Sequence, residues 1–155
     1  MKIGFIGTGH ITKSVINGIL GSQLKINKII ISRRSNKISA LLKKKSKKII
    51  ISNDNQEIIN KSDWVFLAIT PEVGHKILPK LKFRKKQTII SFISTIKMCD
   101  LKKYVKVNSK IVRAIPLPPI SIRKGPVPIF PSNKKVKQFF DHLGTTVEIN
   151  KENLS

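Results

Sequence analysis

The chain opens with MKIGFIGTGHIT, residues 1 to 12, and this stretch decides the fold. Ile3, Phe5 and Ile6 predict a short buried strand, which the glycine turn Gly7-Thr8-Gly9 follows directly. Apolar residues then recur at helical spacing, which predicts a helix that begins as soon as the turn ends. These helical positions are Ile11, Val15, Ile16, Ile19 and Leu20.

A strand, a glycine turn and a helix in this order form the dinucleotide-binding fingerprint, with Thr12 where a third glycine or alanine is usual. Gly7 allows the chain to turn sharply off the strand. Gly9 lacks a side chain, so backbone N–H groups can approach a pyrophosphate at the positive end of the helix. The pattern therefore predicts a nucleotide cofactor, and a tight turn before an ordinary helix is the alternative.

Length and composition indicate one globular domain. The chain has 155 residues, is 40% hydrophobic and has a single cysteine, Cys99. A single cysteine excludes an internal disulfide, and the three histidines lack the spacing of zinc ligands, so we expect no metal site. No apolar run approaches the ~20 residues of a membrane span, and no leader segment is visible. We therefore expect a soluble, cytoplasmic protein that does not contact membranes.

The charge is strongly basic. Lysine and arginine total 31 against 8 acidic residues, a net charge of +23, and the runs 43–48, 84–86 and 134–135 carry much of it. Such a surplus attracts polyanions. Aromatic residues are not interleaved with the lysines, so a solvated lysine-rich surface is favoured over a nucleic-acid site, and attraction of a polyphosphate cofactor remains open.

The end of the second predicted strand, residues 28–32, bears on cofactor choice. In a dinucleotide fold this end faces the adenosine ribose, where an acidic residue favours NAD and a basic residue accepts the 2′-phosphate of NADP. The sequence here is Ser32-Arg33-Arg34, with no adjacent carboxylate. We therefore predict NADP(H), with NAD the less favoured cofactor. A basic turn that caps a helix starting near Ser35 is the alternative.

Strand and helix patterns alternate along the rest of the chain. This alternation predicts an α/β fold of the Rossmann type, a doubly wound, mainly parallel sheet in the order 3-2-1-4-5-6. We expect a helix over 72–81 and an extended, proline-rich connection over 116–119, followed by two extra C-terminal strands at the sheet edge. The predicted later strands are 49–51, 63–69, 87–93, 110–115, 127–130 and 145–149.

With these elements placed, the chain resembles the N-terminal cofactor domain of pyrroline-5-carboxylate reductases, the last enzymes of proline synthesis. The resemblance covers nearly all 155 residues. It implies an oxidoreductase that transfers hydride from NADPH to the C=N bond of a cyclic imine acid. The motifs that carry it are 4–11, Asn55 with Glu57, 62–71, Ser91, 113–116 with Pro119, and Leu143-Gly144.

The resemblance also implies which residues bind the cofactor. The pyrophosphate is expected at Gly7, Thr8, Gly9, His10 and Ile11. The adenosine phosphate is expected at Ser32 and Arg33, with Arg34 beside them, and the ribose is expected near Asn55. The nicotinamide is expected at Ala68, Ile69, Thr70 and Pro71. The chain departs from the family at His10, usually Asn or Gln, at Thr70, usually Lys, and at Leu117, usually Asn. The Leu117 departure removes a polar group from the rim of the site.

The domain prediction follows from the same resemblance. Residues 1–150 are expected to form the cofactor domain, and residues 151–155 to begin a C-terminal helical dimerisation domain that is otherwise missing. That domain supplies most of the imine-acid pocket and the dimer interface, so we assign no catalytic residue and expect a monomer or weak dimer. The alternatives are a non-catalytic NADP(H)-binding module and another NADP-dependent oxidoreductase of the hydroxyacid, prephenate or deazaflavin-linked type.

Overall fold

A computed structural model describes residues 1–33 and 35–152, in which strands and helices alternate from the first residues onward. The strands are β1 (Lys2–Ile6), β2 (Lys28–Ser32), β3 (Ile49–Ser52), β4 (Trp64–Leu67), β5 (Thr88–Ser91), β6 (Lys110–Ala114), β7 (Pro126–Phe130) and β8 (Thr145–Glu148). The helices are α1 (His10–Leu20), α2 (Asn36–Lys45), α3 (Asn55–Lys61), α4 (Pro71–Ile77), α5 (Met98–Val105) and α6 (Lys134–Asp141).

All eight strands join one sheet in the order β3-β2-β1-β4-β5-β6-β7-β8. The first six pair in parallel, with Phe5 of β1 opposite Ile31 of β2 and Phe66 of β4. Strand β7 runs antiparallel to β6, and β8 runs parallel to β7. The predicted Rossmann-type order and the two additional edge strands are both confirmed.

Helices cover both faces of the sheet and enclose two apolar clusters. One face buries side chains of α1, α2 and α6, and the other buries side chains of α3 and α5 and of the turn after α4. At the centre, the rings of Phe5 and Phe66 stack with centroids 4.6 Å apart. Strands buried on both faces are apolar, which explains why residues 3–6 of β1 and all of β4 are continuous apolar runs in the sequence.

Two predicted segments differ from the structure, both at prolines. The helix expected over 72–81 ends at Ile77 and continues as a 3-10 turn, Leu78–Lys80. Pro79 has no N–H to donate to the preceding turn, which accounts for the change. The connection expected to be extended over 116–119 is extended only as far as Leu117, and Pro118–Ile122 forms a second 3-10 turn.

That second 3-10 turn packs against α1. A Cβ placed on Gly18 of α1 would lie 2.4 Å from the carbonyl oxygen of Ile120, so only glycine fits this contact. The side chain of Ile120 is buried in the same core cluster as Val15 and Ile16. The proline-rich segment therefore belongs to the layer of helices that covers the sheet.

None of the helices in residues 1–33 and 35–152 has the length and hydropathy of a membrane span.

Candidate functional site

The candidate site lies at the edge of the sheet where the parallel strands end. Gly7 leaves β1 with φ +100°, a conformation that side chains disfavour. A Cβ on Gly7 would lie 2.1 Å from the carbonyl oxygen of Ala68, just after β4. Glycine is therefore needed at position 7 for two reasons. It allows the direction of the turn, and it leaves room for the close contact with the neighbouring strand.

Gly9, two residues later, is in the opposite situation. A Cβ placed there would have no neighbouring atom within 4 Å. Gly9 precedes α1 and offers no side-chain cap, and the first turn of the helix contains no acidic residue. The first backbone N–H groups of a helix have no partner within the helix, so this open end can receive an anion.

Three hydroxyl side chains brace the glycine turn from behind. The hydroxyl of Thr12 donates to the carbonyl oxygen of Gly7 at 2.7 Å. The hydroxyl of Thr8 donates to the carbonyl oxygen of Ser32 at 2.5 Å, and the two hydroxyl oxygens lie 2.8 Å apart. The N–H of Gly7 donates to Oγ of Ser32 at 3.2 Å. The turn is thus tied to its own helix and to the end of β2.

The sequence did not predict these bracing roles. Thr12 stands where a third glycine is usual. Its side chain is fully buried, and its hydroxyl links the helix to the turn. Ser32 was predicted to contact the adenosine phosphate, whereas in the structure its hydroxyl faces the glycine turn and the residue is 6% exposed. A small hydroxyl residue in a first helical turn was the available signal, since such side chains commonly bond to nearby carbonyls.

An open cleft of about 350 Å³ lies between the glycine turn and the end of β4. Six of the predicted cofactor residues line it, and Ser35, which was not among them, is the seventh. The lining residues are Gly7, Thr8, Gly9, Ser35, Ala68, Ile69 and Thr70. The Ser35 hydroxyl accepts from the N–H of Ile38 at 3.4 Å, so Ser35 itself caps the helix that was expected to begin near it.

The two ends of the predicted nicotinamide segment have clear structural roles. Thr70 is the N-cap of α4, where its hydroxyl accepts from the N–H of Val73 at 3.3 Å. Pro71 occupies the first helical position, where its missing N–H costs nothing. Position 70 is usually lysine in the family. Here it is threonine, and the threonine side chain caps α4. Ala68 and Ile69 also line the cleft.

The other predicted cofactor residues that the structure describes do not line the cleft. His10 and Ile11 form the start of α1, and Asn55 is the first residue of α3, capped by Asp54. Arg33 follows β2 and is exposed, and its Nε donates to Oδ1 of Asn53 at 2.6 Å. Arg34 lies outside the described residues.

No catalytic centre stands out in the described part of the chain. His75 is exposed on α4, and its Nδ1 lies 2.5 Å from the hydroxyl of Tyr104. No cluster of three His, Cys, Asp or Glu residues among 1–33 and 35–152 could hold a metal ion. A larger hollow of about 620 Å³ between α5 and the start of β6 contains none of the predicted cofactor residues.

Comparisons with known proteins agree with this geometry. A family model described as "NADP oxidoreductase coenzyme F420-dependent" matches residues 2–95, more than half of the chain. The chain belongs to this family. The matched segment runs from β1 to the loop after β5, and it contains the glycine turn and every residue of the cleft.

Individual relatives are pyrroline-5-carboxylate reductases. Pyrroline-5-carboxylate reductase 3 of Danio rerio is 28% identical over 128 residues, 81% of this chain and 44% of that protein. The 1-pyrroline-5-carboxylate reductase of Streptococcus pyogenes superimposes with a TM-score of 0.82 at 25% identity, over 99% of this chain and 60% of that one.

The pyrroline carboxylate reductase of Plasmodium falciparum, solved with NADP bound, gives a TM-score of 0.79 at 22% identity, over 98% of this chain and 58% of that one. This third comparison supports the fold. The predicted resemblance is confirmed, and the chain spans less than half the length of the Danio rerio relative.

Proposed function

We propose that this chain binds NADP(H) at the carboxyl edge of the sheet. The observation that carries the proposal is the contrast between Gly7, which is locked against Ala68, and Gly9, whose surroundings are open. A packed first glycine and an open second one are what the approach of a pyrophosphate to a helix end requires. The NADP-bound Plasmodium falciparum protein, which shares this fold, also supports the choice of cofactor.

The cofactor would lie across the edge in three parts. The amides of Gly7, Thr8, Gly9, His10 and Ile11 would bind the pyrophosphate. Arg33, with Arg34 beside it in the sequence, would bind the adenosine 2′-phosphate, and Asn55 would lie near the ribose. Ala68, Ile69, Thr70 and Pro71 would flank the nicotinamide. Ser32 would act by holding the glycine turn, because its hydroxyl is already bonded there.

The reaction that fits best is hydride transfer from NADPH to the C=N bond of a cyclic imine acid such as pyrroline-5-carboxylate. The bound cofactor supplies the hydride, and the protein orients it. Transfer requires donor and acceptor atoms about 3–3.5 Å apart, so the imine needs a second wall over the nicotinamide. We propose that residues 1–150 are the cofactor domain of such a reductase and that residues 151–155 begin its helical domain.

A non-catalytic NADP(H)-binding module is the second candidate. The lining of the cleft supports it, because none of the described residues there is an acid, a base or a histidine. Both candidates share the same cofactor site. Turnover of pyrroline-5-carboxylate with NADPH by the purified chain, alone or with a separately expressed helical domain, would favour the reductase. We expect cytoplasmic location and a monomer or weak dimer for either one.

Calorimetric titration of the chain and its Arg33→Ala variant with NADPH and NADH tests the proposed cofactor site. A charge-assisted phosphate contact contributes about 1.5–3 kcal/mol, so the variant should lose roughly ten- to a hundredfold in NADPH affinity. Its NADH affinity should remain unchanged, because NADH has no 2′-phosphate. Lys103→Ala, an exposed residue of α5, removes the same charge elsewhere and should change neither affinity.

Three results would count against the proposal in different ways. Equal losses of NADPH and NADH affinity in Arg33→Ala would remove the 2′-phosphate assignment and leave dinucleotide binding in place. An unaltered chain that binds neither nucleotide would refute the proposed function. If the chain instead bound a polyanion with an affinity that falls steeply with salt and does not change when NADPH is added, the lysine surface would be a polyanion-binding site.

A further inference from the structure

Arg33 and Asn53 occupy equivalent positions just past the ends of two neighbouring strands. Ser32 of β2 and Ser52 of β3 are the last paired residues of these parallel strands, so Arg33 and Asn53 come next on each side. The N–H of Arg33 donates to the carbonyl oxygen of Ser52 at 3.2 Å, which continues the backbone pairing past the strand ends. The sheet itself therefore places Arg33 and Asn53 side by side at its carboxyl edge.

The side chain of Asn53 holds one part of the Arg33 guanidinium. Nε of Arg33 donates to Oδ1 of Asn53 at 2.6 Å, and within residues 1–33 and 35–152 this is the one hydrogen bond of the Arg33 side chain. Nη1 and Nη2 carry the other N–H donors of the guanidinium, and Arg33 is exposed. Arginine commonly binds phosphate through a pair of parallel N–H donors. The bond to Asn53 thus leaves such a pair accessible to a ligand.

The loop that carries Asn53 is fixed by the hydroxyl of Ser52. Ser52 is 4% exposed, and its Oγ donates to Oε1 of Glu57 at 2.9 Å. The same oxygen accepts from the N–H of Asp54 at 3.2 Å, and the side chain of Asp54 caps α3. The residues on both sides of Asn53 are therefore tied to α3, and the loop presents Asn53 from a fixed position.

The oxygen that holds Arg33 belongs to a neutral amide, although the carboxylates of Asp54 and Glu57 follow closely in the sequence. Both carboxylates have other partners: that of Asp54 caps α3, and that of Glu57 accepts from Ser52. A carboxylate at position 53 would orient the guanidinium equally well, but it would also offset the positive charge. The amide orients Arg33 and leaves its charge available to an anion from outside the chain.

We propose that Asn53 is a positioning residue that gives the chain its preference for NADPH by orienting Arg33 toward the 2′-phosphate. This inference rests on the proposed function, in which Arg33 binds that phosphate. Oδ1 of Asn53 holds Nε, and Nη1 and Nη2 bind the phosphate oxygens as a bidentate pair. Asn53 acts through Arg33 and does not touch the phosphate itself.

Calorimetric titration of two Asn53 variants with NADPH and NADH tests the proposal. Loss of one orienting hydrogen bond in Asn53→Ala should lower NADPH affinity roughly three- to tenfold. Asn53→Asp should lower it roughly ten- to a hundredfold, because its carboxylate offsets the charge of Arg33 and repels the phosphate. NADH affinity should not fall in either variant, since NADH has no 2′-phosphate. Asn108→Asp adds the same charge at an exposed position before β6 and should leave the NADPH preference unchanged.

A double-mutant cycle separates a positioning role from an independent one. If Asn53 acts through Arg33, then Asn53→Ala should cause no further loss of NADPH affinity in the Arg33→Ala chain. The same loss in both backgrounds would overturn the proposal. An Asn53→Ala variant that binds NADPH as strongly as the unaltered chain, or that loses NADPH and NADH affinity alike, would also overturn it.

These measurements also distinguish failure of this inference from failure of the proposed function. An unaltered chain that binds neither nucleotide refutes both. A chain that prefers NADPH and loses this preference in Arg33→Ala, but keeps it in both Asn53 variants, refutes only the role of Asn53. Because Asn53 is exposed, its variants should unfold at the Tm of the unaltered chain, which thermal denaturation checks.

Discussion

Helices α1 and α5 both begin at the carboxyl edge of the sheet, yet their first turns have different surroundings. Neither Gly9 nor Lys97, the residues that precede them, provides a side-chain cap. At α1, the space beside Gly9 is open to a distance of 4 Å. At α5, the carboxylate of Glu152 bonds to the first N–H and pairs with Arg113.

The comparison shows that a helix dipole alone does not define a ligand site. Both helix ends present partial positive charge, and each favours an anion. What distinguishes them is the neighbouring chain: Gly7 packs tightly and leaves Gly9 open, whereas the segment after β8 brings its own carboxylate to α5. The first helix is therefore suited to a phosphate from solution, and the second already binds an internal anion.

Gly7→Ala should produce the largest change in stability. The new methyl group would meet the Ala68 carbonyl oxygen at 2.1 Å in a backbone conformation at φ +100°. The strained conformation costs about 1–3 kcal/mol and the overpacking a similar amount, so we expect a loss of about 2–6 kcal/mol in the free energy of unfolding. Urea denaturation of the variant and of the unaltered chain measures this loss in the free energy of unfolding.

Gly9→Ala is the matched control for that experiment, because the same methyl group enters open space at an ordinary φ of −107°. Its free energy of unfolding should change by less than about 1 kcal/mol. Similar losses for the two variants would mean that the first glycine is not locked against β4, and the contrast between the two glycines would disappear.

Gly9→Val should separate binding from folding. A branched side chain would occupy the space through which a pyrophosphate approaches the start of α1. Loss of two charged hydrogen bonds at about 1.5–3 kcal/mol each predicts a decrease in NADPH affinity of more than roughly a hundredfold. Calorimetric titration measures this decrease, and circular dichroism should show an intact fold. If Gly9→Val bound NADPH as strongly as the unaltered chain, the pyrophosphate would have to lie elsewhere.

Local patterns in the sequence predicted most of the fold. Buried parallel strands are apolar runs, and the turn after β1 needs a glycine at Gly7, so both leave a direct mark in the sequence. The strand order follows from the alternation of strands and helices together with right-handed crossovers. Six of the seven residues that line the cleft were predicted for the same reason, because they belong to two local motifs.

Contacts between distant segments were not predictable in this way. The pairing of Arg113 with Glu152 joins β6 to the C-terminal segment, and neither residue type indicates its partner. The 3-10 turn over Pro118–Ile122 depends on its contact with Gly18 in α1, which lies about a hundred residues earlier. Proline fixes φ but leaves ψ open, so a proline-rich segment fits both an extended chain and a 3-10 turn.

Thr12→Val should have an intermediate effect on stability. Valine keeps the shape of threonine and removes only the hydroxyl that donates to the Gly7 carbonyl oxygen. A buried acceptor without its donor costs about 1–3 kcal/mol, which should appear as a lower urea midpoint. Thr12→Ser retains the donor, so its loss should be smaller than that of Thr12→Val. A valine variant as stable as the unaltered chain would show that the turn needs no brace.

The smallest effect is expected at Asp141, the exposed counterpart of Glu152. The hydrogen bond from Lys137 at 2.7 Å, together with bonds from Thr146, holds the pKa of the Asp141 carboxyl below its ordinary range. The pKa of Lys137 is raised in turn, chiefly by the same hydrogen bond. The two side chains are 42% and 44% exposed, so water and salt screen the pair, and its contribution is small.

The direction of each pKa shift gives the pH dependence of this pair. A carboxyl whose pKa is lowered by folding stabilises the protein above its unfolded pKa, and this contribution disappears as the pH falls below about 4. Because folding raises the pKa of Lys137, the contribution of Lys137 to stability disappears only as the pH rises above about 10.4. Asp141→Asn should therefore lower Tm slightly at pH 7 and leave it unchanged near pH 2. At pH 7 its effect should also be smaller than that of Glu152→Gln, whose Arg113 partner is buried. The reverse order would show that burial of Arg113 does not make its carboxylate partner the more important one, and the contrast between the two helix ends would lose its energetic basis.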